Sequence, residues 1–73
     1  AVCRNAELAR LDRHLGMLYG QSWGQADAAR REELLGTRDR FIARRDSCRS
    51  DACIRAAYLG RMREISDIMA TKN

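Results

Sequence analysis

The pair Cys48 and Cys53, five residues apart between two amphipathic stretches, constrains the fold of this chain more than any other feature. On one continuous helix that separation is a rotation of about 500° with roughly 7.5 Å of rise, so the sulfurs point to nearly opposite sides and cannot bond. A bond between them requires the helix to break. Ser50 is a suitable N-cap, and Asp51 follows in the first turn of a new helix, where its charge complements the dipole. The spacing therefore predicts a helix–turn–helix corner stapled by Cys48–Cys53. The alternative is two reduced thiols packed as small apolar residues. A bonded pair points to an oxidising compartment. Its C-x4-C spacing differs from the C-x-x-C of redox-active sites, so a structural disulfide is expected rather than a catalytic one. Cys3, the third cysteine, has no evident partner.

The rest of the chain supplies what packs against this corner. Seventy-three residues form one small domain, 1–73, whose core is marginal without a staple. There is no proline, and Ala, Leu and Arg are abundant, which favours helix. In the first segment Asn5 is a cap and Leu8, Leu11, Leu15 and Leu18 form one apolar stripe, with Ser22 as a weak continuation. Gly20 to Gln25 reads as a turn. In the second, Asp27 is a cap and the stripe is Leu34, Leu35, Arg38, Phe41, Ile42, Arg45 and Cys48. In the third, Ile54, Ala57, Tyr58, Arg61, Met62, Ile65, Ile68 and Met69 share a face, and the last residues, 70–73, are expected to fray. These patterns predict helices at about 5–20, 27–49 and 51–69. The fold class is all-α, either a three-helix antiparallel bundle or a helical hairpin with a third arm.

Charge and composition exclude some function classes. No apolar run approaches the length of a membrane span, and no leader segment is visible, as expected of a mature or trimmed form. The net charge is +4, nearly all of the positive side being Arg. Acidic residues are interleaved with these arginines, as in Arg30-Arg31-Glu32-Glu33, which reads as a solvated face more than as an anion-binding surface. Segments two and three superficially form a helix-turn-helix. The turn is stapled, however, and Asp51, Glu64 and Asp67 sit among Arg55 and Arg63, so no nucleic-acid partner is expected.

Catalytic chemistry is absent from the pattern. His14 and the cysteines lack zinc spacing, so neither a metal nor a cofactor is expected. No glycine-rich phosphate loop occurs, and no hydroxyl nucleophile stands beside a credible base. The chain reads as a non-enzyme. Arg45 and Arg61 are distinctive because both fall inside apolar stripes, where an arginine snorkels or meets a carboxylate. Asp12, Asp46 and the Tyr58 hydroxyl are the partners expected in a structural polar network, the other reading being a ligand-binding cluster. Trp23 is either a partner contact near the first turn or a cap on the end of the bundle.

The same residues carry a family pattern. Cys3-x4-Leu8-x2-Leu11-Asp12-x2-Leu15-x3-Tyr19, then Arg38-x2-Phe41-Ile42-x2-Arg45-Asp46-x-Cys48, then Cys53-Ile54-x3-Tyr58-x2-Arg61-x3-Ile65, resembles the LprI-type lysozyme-inhibitor N-terminal-domain family across nearly the whole chain. The family commonly has Trp where Phe41 stands and Gln where Arg38 stands. It usually has another Cys upstream of the position of Cys3. The resemblance implies a small bacterial helical domain, periplasmic or secreted, that binds a protein partner and inhibits a lysozyme-like muramidase; the alternative is an envelope protein-interaction module with no enzyme target. It assigns no lysozyme-contact residues. C-type lysozymes are basic, as is this chain, so long-range attraction does not assist encounter. A local acidic patch, around Glu64 and Asp67 or Glu32 and Glu33, is the expected compensation.

Overall fold

The computed structural model describes residues 6–70, which form three helices, α1 (Ala6–Gln25), α2 (Ala28–Asp46) and α3 (Asp51–Ala70). Asn5, Cys3 and the tail at 71–73 lie outside the described residues. The architecture is the all-α three-helix form, with the Cys48–Cys53 disulfide at the α2–α3 corner and its two Cα atoms 5.6 Å apart. Ser50 caps α3 as its sequence suggests, its hydroxyl accepting from the Cys53 amide at 3.1 Å. Asp27 caps α2, accepting the Arg30 amide at 2.9 Å.

Two predicted boundaries move. α1 continues through Gly20 to Gln25 instead of turning there. Leu8, Leu15 and Ser22 are all buried at heptad spacing, so burial carries the helix past glycines that local propensity reads as a stop. The turn shrinks to Ala26 and Asp27, with the Ala26 amide donating to the Trp23 carbonyl at 3.3 Å. α2 ends at Asp46 instead of 49. Ser47 closes it, its amide reaching the Ala43 and Arg44 carbonyls and its hydroxyl the Arg44 carbonyl. Cys48 therefore lies beyond the helix, where the chain can bend back toward Cys53.

α3 is the spine. It packs on both other helices, whereas α1 and α2 barely touch one another. Contacts along α3 set the directions. Glu7, Asp12 and Tyr19 of α1 meet Arg55, Tyr58 and Arg61 in ascending order, so α1 and α3 run parallel. Phe41 meets Tyr58, and Leu34 and Thr37 meet Arg61, in descending order, so α2 is antiparallel to both. The core is Leu8, Leu15, Leu34, Phe41, Ala57, Tyr58, Ile65 and Ile68, closed by Ala26 at the α1–α2 turn. Leu34 and Ile65 are fully buried at its centre, each apolar side chain of this kind contributing about 1.5–3 kcal/mol through burial.

Candidate functional site

The face on which α1 and α2 fail to close is a groove of about 240 Å³. Its α1 wall is Asp12, Gly16 and Tyr19, its α2 wall Arg38, Ile42 and Arg45, and its floor Leu15, Phe41 and Arg61. The groove follows from the packing of α3. Tyr58 and Arg61 project from α3 between the other helices and occupy the line along which α1 and α2 could otherwise meet.

The residues expected in one polar network form two. In the first, the Tyr58 hydroxyl donates to Asp12 Oδ1 at 2.9 Å, tying α3 to α1. Burial raises the Tyr58 pKa above its usual value, and the bond to the Asp12 carboxylate adds to this, while a bond from Arg45 opposes it. Arg45 is held above its own ordinary value. Its partial burial works against the charge, but contacts with Tyr58 and Asp46 outweigh that. The bonds from Arg45 to Asp46 Oδ1 are long, 3.4 Å from both Nε and Nη2, and join sequence neighbours. The Arg45 guanidinium also lies 5.7 Å from the Phe41 ring centre.

Arg61 belongs to the second network and reaches neither Asp12 nor Asp46. It is 2% exposed. Nη2 donates to the Leu34 carbonyl at 2.9 Å, and Nη1 donates to Thr37 Oγ1 and to Glu64 Oε1, the latter at 3.0 Å. The Thr37 hydroxyl in turn donates to the Glu33 carbonyl at 2.6 Å, which leaves its lone pairs for Arg61. No buried side-chain nitrogen or oxygen among the described residues lacks a partner. Thr37 and Glu64 were not expected in this role. Two signals in the sequence point to them: Thr37 falls between Leu34 and Phe41 at helical spacing, and Glu64 follows Arg61 by three.

Trp23 lies on α1 rather than in a turn. It is half-buried, stacks on Tyr19 with ring centres 6.0 Å apart, and carries the Arg31 guanidinium 4.9 Å from its own ring centre. Arg31 Nε also donates to the Trp23 carbonyl at 3.0 Å, so the pair clamps the α1–α2 turn. On the opposite side of the molecule, Glu33, Glu64 and Asp67 share a hollow of about 500 Å³ between α2 and α3, interleaved with Arg40 and Arg63. Glu32 does not line it. His14 lies in a third depression, between α1 and α3, with Glu7, Arg10, Leu59 and Met62. Among the described residues no His, Cys, Asp and Glu set could hold a metal ion, and no helix is long and apolar enough to cross a membrane.

Comparisons with protein-family models, with curated proteins and with solved structures find no match to this chain.

Proposed function

We propose that this protein is a non-enzymatic binding domain of the bacterial periplasm or exterior, and that its target is a lysozyme-type muramidase. One observation carries the reading. Asp12, Leu15, Tyr19, Ile42, Arg45 and Arg61 belong to the family pattern and gather around one groove, together with Arg38 and Phe41, which stand where the family commonly has Gln and Trp. Leu15, Phe41 and Arg61 also serve the core, whereas Asp12 and Arg38 are exposed and Tyr19, Ile42 and Arg45 half-buried, so part of this set is open to a partner. The disulfide fits an oxidising compartment.

The charge balance agrees with local recognition rather than long-range steering. Chain and C-type lysozyme are both basic, so attraction at a distance is weak. A muramidase cleft, however, holds a pair of carboxylates, and the groove offers Arg38 and Arg45 to such groups. The hollow with Glu33, Glu64 and Asp67 is less suited to a basic enzyme, because Arg40 and Arg63 share it and Glu64 already serves Arg61. The test is a cell-wall lysis assay with the oxidised protein at equimolar and higher dose against several lysozyme classes. Slowing of at least one is expected. Unchanged rates with all of them remove the muramidase as target.

A further inference from the structure

The α1–α2 groove carries apolar surface that the fold leaves uncovered and cations that it leaves poorly matched. Leu15 and Phe41 form an apolar floor, and the partly buried Tyr19 and Ile42 extend it along the α1 and α2 walls. On the α2 wall Arg38 and Arg45 stand seven residues apart, about 10 Å along a helix, with Ile42 between them. Arg38 is exposed and forms no ion pair among the described residues. The ion pair of Arg45 among the described residues is the long one with its neighbour Asp46, beside its contacts with Tyr58 and the Phe41 ring. The single carboxylate lining the groove, Asp12, already accepts the Tyr58 hydroxyl.

The α1 wall is cut back at Gly16. A Cβ there would meet nothing within 4 Å, so no neighbour in the fold needs the space. A glycine inside a helix nevertheless costs about 1 kcal/mol relative to alanine. Gly20, Gly24 and Gly36 are equally open, but of these four only Gly16 lines the groove, where it leaves the α1 backbone accessible from outside. The groove volume, about 240 Å³, is below the range of roughly 300–1,000 Å³ typical of small-molecule pockets. It suits an inserted side chain better than an entire ligand.

We propose that this groove docks an acidic amphipathic segment of a partner protein, which seats one apolar side chain over Gly16 between Tyr19 and Ile42 and sets carboxylates on Arg38 and Arg45. Charge complementarity selects the acidic partner: the rim is cationic, and arginine holds carboxylates in a bidentate fork. The apolar anchor supplies the buried centre that such contacts require. The inference rests on the reading of the chain as a protein-binding domain, but not on a muramidase being the target.

The probe is a labelled helical peptide of about fourteen residues, four turns, with a Leu, Ile, Phe or Met anchor flanked by Glu, paired with the same peptide carrying Lys for Glu. Fluorescence anisotropy should show saturable binding of the acidic peptide that weakens with salt, and none of the Lys peptide. Arg38→Glu and Gly16→Leu should each weaken binding by about tenfold or more. Circular dichroism should show that both variants melt no lower than the parent. Binding of both peptides alike, binding of neither, or unchanged affinity in Gly16→Leu overturns the proposal. A wild-type dimer in sedimentation that Gly16→Leu dissociates also overturns it, by making a second copy the occupant. The lysis assay is independent of these results, so failure of the peptides and failure of the muramidase reading are told apart.

Discussion

The Tyr58 hydroxyl, on a residue otherwise sealed in the core, donates a 2.9 Å hydrogen bond to the exposed Asp12 on the neighbouring helix. That bond joins α3 to α1 at the Asp12 end of the groove, alongside the Glu7–Arg55 and Tyr19–Arg61 contacts. Tyr58→Phe keeps the ring and its 5.5 Å packing on Phe41 but removes the bond, at a cost of about 1 kcal/mol in urea unfolding.

The same bond predicts a pH dependence. The folded-state pKa of Tyr58 is raised, by burial first and by Asp12 second. A raised pKa means that the protonated form is favoured in the fold. The stabilisation is therefore fully present below the unfolded value of about 10 and is lost as pH rises through the folded value. Urea midpoints of the wild type should fall more steeply than those of Tyr58→Phe above that range, and one tyrosine should ionise late at 295 nm. Parallel alkaline profiles for the two proteins would contradict this.

Arg61 is the costliest polar side chain to remove. Arg61→Ala leaves the Thr37 hydroxyl and the Leu34 carbonyl without their buried donor, and a loss of about 3 kcal/mol is expected. Arg61→Lys should recover little, because the two sites need a planar fork rather than a point charge. Chemical denaturation of the two variants checks both statements.

The staple pins a corner more than it holds the fold. Its loop of about six residues is worth on the order of 2 kcal/mol in the chain-entropy model, so the Cys48→Ser/Cys53→Ser double variant should unfold earlier by that amount and remain helical. Mass measurement after alkylation, with and without reduction, should show two further thiols on reduction, at Cys48 and Cys53.

Gly16→Ala should stabilise the domain by about 0.5–1 kcal/mol, since the added methyl meets open space and improves helix propensity. A thermal melt lower than the wild type would mean that the groove is closed at Gly16.

The parts of this structure legible in the sequence are those governed by near neighbours. Asp27 and Ser50 mark helix starts because a cap depends on the next three residues. The cysteine spacing marks the corner for the same reason. The end of α1 was not legible, because burial of Ser22 against the core outweighs the local signal of Gly20 and Gly24. Nor was the division of the polar network. A search confined to carboxylates joins Arg61 to Asp12 or Asp46, whereas a backbone carbonyl and the hydroxyl of Thr37 hold most of it. The groove depends on how far two stripes stand apart once α3 lies between them, and no single segment encodes that separation.

Inhibition of lysis by wild type and by Gly16→Leu at equal dose decides whether the groove between Arg38 and Gly16 is the proposed binding face. The wild type should slow at least one muramidase, and Gly16→Leu, folded to the same extent by circular dichroism, should not. Equal inhibition by the two proteins would contradict this.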